Sequence, residues 1–256
     1  LKLVQKLSAL DFLYIVKSLP FLCIVLFGLL INILSLFELG NLFGTATLPR
    51  TWRMLQAGET LSLSIIICTF LYTGMLIQRS RIYKSNELID TTPVKNWVLF
   101  GSKFLAIIKM QALLLLLVMV SGITFQFYKG FYDFELNLYL YELLILNLLY
   151  YVIWAFLSFL VHTLIPNPYL GLFVMLVLFI AIPLTSFAGV EQSIFKYSQG
   201  PGFSYSDMNG YGASIERYLI YKFYWICLGI VFYVLSLLFY KRGITSGFKE
   251  RLALFR

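Results

Sequence analysis

The sequence predicts an all-α membrane protein with six transmembrane helices, and three observations lead there. First, five stretches carry no Lys, Arg, Asp or Glu: residues 18–37, 60–78, 110–128, 143–190 and 223–240. A bilayer core about 30 Å thick takes about 20 apolar residues of helix, so four of the stretches fit one crossing each. Residues 143–190 are too many for one crossing. His162 and Pro166-Asn167-Pro168 divide that stretch near its middle, so it reads as two. Second, 60% of residues are hydrophobic and 12% charged, with a mean hydropathy of +0.85. Soluble domains run at about 45–50% apolar, and one with so little charge would aggregate. Third, the runs are continuous, without a period of two. Only helices and closed barrels satisfy their backbone in lipid, and continuous runs select helices.

The elements follow in order. In residues 1–17, Leu3, Leu7, Leu10 and Tyr14 recur at helical spacing, with Lys2, Lys6 and Asp11 off that stripe. This reads as an amphipathic helix in the membrane interface, or as a helical extension of the first span. Pro20 favours a break between the two. The first span covers 18–37. A turn-rich loop over 38–59 holds Gly40, Gly44, Pro49 and Gly58, with Trp52 beside Arg53 as an interface anchor. The second span covers 60–78. The loop over 78–101 mixes Arg79, Arg81, Lys84, Glu87 and Asp90 with Ile82, Leu88 and Ile89, and predicts a short helix over 81–89. Asp90, Thr91 and Thr92 can cap a new helix that opens at Pro93. Trp97 then lands at the interface, and Lys103 and Lys109 snorkel to the headgroups from a third span over 104–128.

A short loop precedes the fourth span, over 140–162. Pro166-Asn167-Pro168 turns the chain into the fifth, over 169–187, where Pro183 kinks the far end. The connection over 188–217 is long for a membrane protein. Gly200-Pro201-Gly202 and the run Tyr205-Ser206-Asp207-Met208-Asn209-Gly210-Tyr211-Gly212 mark it as turns. The sixth span covers 218–240. Residues 244–256 read as a tail or a linker to a further domain, and because the chain opens on Leu1 it reads as a segment of a longer protein.

Charge sets the expected orientation. Lys2, Lys6 and Lys17 precede the first span. Arg79, Arg81, Lys84, Lys95, Lys103 and Lys109 lie between the second and third. Lys241, Arg242, Lys249, Arg251 and Arg256 follow the sixth. These are 14 of the 20 basic residues. Arg50, Arg53, Lys129, Lys196, Arg217 and Lys222 fall on the other side. The positive-inside rule then places both termini in the cytoplasm, as an even span count requires. The net charge of +8 is therefore a topology signal and does not point to nucleic acid.

Several chemistries lack their residues. There is no Walker sequence for ATP, no His-Glu-x-x-His for zinc, and one histidine in the chain. His162, at the expected cytoplasmic end of the fourth span, reads as an interfacial hydrogen-bonding residue before a catalytic one. No catalytic residue, metal or cofactor is expected in this chain, and it reads as no enzyme. Cys23, Cys68 and Cys227 lie in apolar runs without ligand spacing and read as buried. Asn32 and Asn147 are the amides placed inside the runs, for helix–helix hydrogen bonding. Glu142 sits at the edge of the fourth span. Asp207-Met208-Asn209-Gly210 lacks the remaining ligands of a calcium loop and reads as a turn capping the sixth span.

The order of parts resembles the type-2 permeases of ABC exporters: a helix before span one, a mixed-charge helix between spans two and three, and a long segment between spans five and six. Locally the chain is most similar to a bacterial branch in which such a permease is fused to a zinc aminopeptidase. The stretches that carry this are Glu87-Leu88-Ile89-Asp90-Thr91-Thr92-Pro93-Val94-Lys95-Asn96-Trp97, Lys103-Phe104, the run from Tyr205 to Gly212, Tyr224-Trp225 and Arg242-Gly243, within residues 62–243. At the end of span two the branch has a Gly-Glu-Leu-Val-Trp-Arg-Glu-Arg-Asp-like run. Here Gly74-Met75-Leu76-Ile77-Gln78-Arg79-Ser80-Arg81-Ile82 keeps the arginines and lacks the acids and the Trp.

The resemblance implies an ATP-driven exporter permease of the bacterial inner membrane. Arg79, Arg81, Lys84, Glu87 and Asp90 would form the coupling surface for a separate ATP-binding cassette subunit, which holds ATP and Mg. Ser206, Asp207, Asn209 and Tyr211 would form an external gate, and short helices between spans five and six would dip into the outer leaflet. The partners would be that subunit, the lipid bilayer and a second six-helix half. An ordinary solvated loop is the plainer reading of the coupling surface. The rival functions are a membrane anchor or regulatory domain for a fused peptidase, and an ion-coupled secondary transporter.

Overall fold

Pro20 sets the first break in the chain. It has no N–H to give and its ring would meet the carbonyl four residues back, so the helix before it must stop. In the computed structural model, which describes residues 2–39, 41–42, 45–46, 48–83, 94–189 and 191–240, α1 (Lys2–Val16) ends in a turn at Lys17 and Ser18. α2 (Leu19–Leu39) then starts with Pro20 in its first turn, where a proline costs nothing. Ser18 Oγ closes the turn by donating to the Ile15 carbonyl at 2.7 Å.

The second half of the expected loop over 38–59 is helical. After a two-residue hairpin, Asn41–Leu42 against Thr45–Ala46, comes α3 (Thr51–Gly58). One 3-10 turn, Glu59–Leu61, joins it to α4 (Ser62–Ile82). α3 forms because its inward positions, Thr51, Met54, Leu55 and Gly58, recur at helical spacing and are buried. Arg53 lies over the Trp52 ring at 5.2 Å.

α5 (Asn96–Tyr128) has 33 residues, about 50 Å of helix, and overruns a bilayer core. It starts on Lys95 as cap; of the helix expected over 81–89, Arg81 and Ile82 end α4 and Tyr83 is a turn, while 84–89 and Pro93 lie outside the described residues. α6 (Leu136–Leu164) is continuous but widens into a π-helical turn at Tyr141–Asn147. α7 (Pro168–Leu184) begins as the sequence predicts. Asn167 Oδ1 accepts from the backbone N–H of Tyr169 at 2.9 Å and of Leu170 at 3.4 Å, with Pro168 at the first position. α8 (Ser214–Phe239) closes the described chain.

Five of these helical stretches are long and apolar enough to cross a membrane: Leu19–Glu38, Thr51–Ser80, Asn96–Tyr128, Leu136–Leu164 and Ser214–Phe239. Pro168–Leu184 is apolar but shorter. This is the architecture of a multi-pass helical membrane protein. α4 is its axis and packs on α2, α5, α6 and α7, while α6 packs on α8 and α1 lies along α5. Large rings fill the space between them. Phe70, Tyr72 and Phe159 are fully buried. Phe100 meets Phe159 edge-on at 5.1 Å, and Phe104 stacks on Phe156 at 4.7 Å.

On α1, Leu3 and Leu10 of the apolar stripe are exposed and Tyr14 is partly buried against the core, while Ser8 and Ile15 are the buried positions. Two side-chain expectations are corrected. Cys68 is buried, but Cys23 and Cys227 are exposed on outer helix faces. Lys103 and Lys109 turn inward, to the Leu76 carbonyl on α4 and to Ser8 Oγ on α1 at 2.7 Å.

Candidate functional site

Polar side chains gather at the two ends of the bundle and at two points inside it. At one end, α1 is latched to the helices that flank residues 84–93. Arg79, near the end of α4, pairs with Asp11 of α1 at 2.8 Å and lies over the Tyr14 ring at 4.3 Å. Burial raises the Asp11 carboxyl above its ordinary pKa, outweighing the opposing pull of Lys103 and Arg79. The pair therefore fixes where α1 sits more than it stabilises it. Tyr14 is pushed up to about 12, first by its hydrogen bond with the Tyr83 side chain and then by burial. Ser18 and Tyr72 hydroxyls form a further short contact between the α1–α2 turn and α4.

Of the residues expected to form a coupling surface, Arg79 is thus half-buried and engaged within the chain. Arg81 lies in the last turn of α4. Lys84, Glu87 and Asp90 lie outside the described residues.

His162 belongs to the same end, in the last turn of its helix. It is fully buried between α4 and α7. Its Nδ1 lies 2.9 Å from the Ser158 carbonyl, which requires that nitrogen to carry the proton. The Gln78 side-chain amide donates to the carbonyls of His162 at 3.0 Å and Ile165 at 3.2 Å, and so ties α4 to the end of α6.

At the other end, the long connection before α8 is clasped to the bundle. Ser206 and Gly210 pair their backbones: Ser206 N–H donates to the Gly210 carbonyl at 2.9 Å, and Gly210 N–H to the Ser206 carbonyl at 2.7 Å. Gly210 takes φ +58, the left-handed conformation such a turn needs. The turn leaves Met208 98% exposed and aims Asp207 at Arg50, the cap of α3, in an ion pair. Tyr211 donates to Glu142 in the π turn of α6 at 2.8 Å, and its ring packs on Tyr141, Phe203 and Tyr205. Burial, then the Glu142 contact, raises the Tyr211 phenol above its ordinary pKa.

Among the expected gate residues, Asp207 and Tyr211 therefore anchor the turn. Ser206 and Asn209 shape it: Ser206 Oγ accepts from Met208 N–H at 3.4 Å, and the Asn209 carbonyl accepts from Gly212 N–H at 3.2 Å. The turn does not cap α8, whose cap is Ala213 without a side-chain bond. In place of helices dipping back, the described part of the connection carries 3-10 turns at Thr185–Ala188 and Ser193–Phe195.

Two interior positions escaped the sequence reading. Gln111 is fully buried near the middle of α5. It donates to Thr69 Oγ1 on α4 at 3.0 Å and to the Tyr151 carbonyl on α6 at 3.1 Å. The signal was present: Ile107, Gln111, Leu114, Val118 and Gly122 form one buried stripe, but the start of the charge-free run put Gln111 at its edge. Lys222, counted with the cations of the outer side, is buried on the inward face of α8, on the stripe Tyr218, Lys222, Trp225 and Gly229. Of the two amides expected to bridge helices, Asn32 does so. It donates to the Ala57 carbonyl at 3.1 Å and accepts from Ser121 at 2.8 Å. Asn147 makes no side-chain hydrogen bond among the described residues.

Comparison with known protein families, with curated proteins and with solved structures finds no match for this chain.

Proposed function

We propose that this chain is the membrane-spanning half of an ATP-driven exporter, with the shorter α7 crossing the bilayer beside the five long stretches and both termini in the cytoplasm. The observation that carries the reading is the latch at one end of the bundle. Residues 84–93 join α4 to α5, and Asp11–Arg79, Lys109–Ser8 and Lys103–Leu76 bind α1, α4 and α5 together there. A cassette subunit pressing on that loop would move three helices as one body. α4, the axis of the bundle, would carry the motion inward to α6 and α7. Arg81, Lys84, Glu87 and Asp90 supply the docking surface, and the Arg50–Asp207 and Tyr211–Glu142 contacts close the far end. A second copy, or another six-helix segment, completes the pathway. ATP and Mg stay on the partner.

An ion-coupled transporter is favoured by one observation, Glu142 within the π turn of a spanning helix, since such turns gather at functional sites. Purification from native membranes in mild detergent separates the two. A stoichiometric ATPase partner with vanadate-sensitive hydrolysis is the expected result. Transport that follows a proton gradient and ignores ATP depletion would sink the exporter reading.

A further inference from the structure

An ionisable side chain inside a spanning helix has to meet a partner, because hydrocarbon offers none. Lys222 lies eight residues into α8, about 12 Å along its axis, and is 4% exposed. An ammonium has three N–H groups to place. One donates to the Ser198 carbonyl at 2.9 Å. Two ring faces flank it, Tyr150 at 4.8 Å and Tyr218 at 5.1 Å. Among the described residues the ion pairs are Arg50–Asp207 and Arg79–Asp11, and neither reaches Lys222.

The cover over this cation is unusual in two ways. Ser198 is 2% exposed, and its hydroxyl is buried with no hydrogen-bond partner among the described residues. It also holds φ +63, alone among the described non-glycine residues in having positive φ. Such a conformation persists only where the surroundings impose it, and it concentrates at functional sites. Here the Lys222 contact and the bond from Trp225 Nε1 to the Gln199 carbonyl at 2.8 Å hold the strap down on α8.

The same strap forms one wall of a groove with a volume of about 380 Å³ between Ser193, Gly200, Pro201, Arg217, Ile220 and Tyr221. That volume is within the range of small-ligand sites, about 300–1,000 Å³. Arg217 has no acidic partner among the described residues. It precedes Lys222 by five residues, about 7.5 Å along the axis and about 140° around it. One cation thus lines the groove, and a second lies beneath the strap beside an unpaired hydroxyl.

We propose that Arg217, Lys222 and Ser198 form a binding site for the anionic headgroup of an amphiphile. The headgroup enters the groove at Arg217, and displacement of the Ser198 strap completes its contact with Lys222. A phosphate or carboxylate supplies the negative charge that the protein withholds, and accepts from the ammonium and from the free hydroxyl. Ile220 and Tyr221 of the groove take the first part of the attached chain. The site is argued without ATP coupling, so its failure leaves the exporter reading standing.

The test uses the full chain in a neutral detergent, with bound lipid read by native mass spectrometry. Phosphatidylglycerol is titrated against phosphatidylcholine, with glycerol phosphate as the free anion. The expected result is about tenfold preference for phosphatidylglycerol, lost in Lys222→Met and reduced in Arg217→Gln and Ser198→Gly. Competition by glycerol phosphate identifies the anion as the recognised part; its failure to compete assigns recognition to the lipid-borne headgroup. Ser198→Gly keeps the backbone conformation, and Arg217→Gln lies in the groove wall, so these two carry the test if Lys222→Met fails to fold. Equal retention of the two lipids, or undiminished preference in both Arg217→Gln and Ser198→Gly, overturns the proposal.

Discussion

The imidazole of His162 occupies the space that a side chain at Gly74 would fill. A Cβ at Gly74 would stand 2.5 Å from His162 Cδ2, and one at Gly171 on α7 would stand 2.6 Å from the same atom. The histidine is thus a spacer set between two glycines, and α4, α6 and α7 close on each other through it. The ring is pinned by Ser158 and has no room to retreat. Gly74→Ala and Gly171→Ala are each expected to destabilise the protein by about 1–3 kcal/mol, the usual cost of overpacking. Removing the ring with His162→Ala should recover part of the Gly74→Ala loss. Thermal unfolding in detergent measures the cycle, and strictly additive penalties would show that the two positions do not meet.

The Asp11–Arg79 latch should be weak in energy and strong in effect. The Arg79 side chain is 38% exposed, so the pair is worth about 1 kcal/mol or less. Asp11→Asn and Arg79→Gln are expected to cost that much each, with the double variant costing little more than either. If ATP drives transport, both should also lower ATP-linked transport well beyond their effect on stability. Unchanged coupling in both variants would remove α1 from the mechanism.

The loop clasp gives a sharper structural readout. Tyr211→Phe keeps the ring and loses one hydrogen bond to Glu142, a change of about 0.5–1.5 kcal/mol. Trypsin should then cut faster after Lys196 and Arg217, which border the connection. Arg50→Gln should show the same acceleration at low salt and merge with the parent at high salt, because the Arg50–Asp207 pair is solvent-exposed.

Gln111→Leu should change stability by about 1 kcal/mol or less. Hydrogen bonds within membranes average about 0.6 kcal/mol, and Gln111 Oε1 is buried without a partner among the described residues. Replacing the whole amide removes that unpaired acceptor as well. Thr69 keeps its own bond to the Ile65 carbonyl at 2.8 Å. A loss of several kcal/mol would mean that the amide holds α4, α5 and α6 together more tightly than its two bonds account for.

The three cysteines report burial directly. A small membrane-permeant alkylating reagent in excess should modify Cys23 and Cys227, which face the detergent, ahead of Cys68, which is buried in the protein. Modification of Cys68 at the same rate would contradict the packing of α4.

Some of this was legible before folding was considered. The break at Pro20, the turn at Pro166-Asn167-Pro168 and the turn over 206–210 are local in origin. Each rests on a residue whose backbone or side chain has few alternatives. Helix α3 was missed because Gly58 and Pro49 were weighed as breakers, while Met54 and Leu55 had no visible partner. Which face of α1 meets the bundle was not legible: Ser8 and Asp11 turn to it because Lys109 and Arg79 lie there.

By itself, the sequence determined that this chain makes apolar helices and roughly where most of them lie, because length and the absence of charge are read locally against the thickness of a bilayer. Which residues meet was decided only by the tertiary structure. Charge counting treats Lys222 as a cation of the outer side, the charge-free run puts Gln111 at its edge, and His162 reads as a hydrogen-bonding residue at the end of a span. In each case the rotation of a helix about its axis, set by packing against its neighbours, carried the side chain inside.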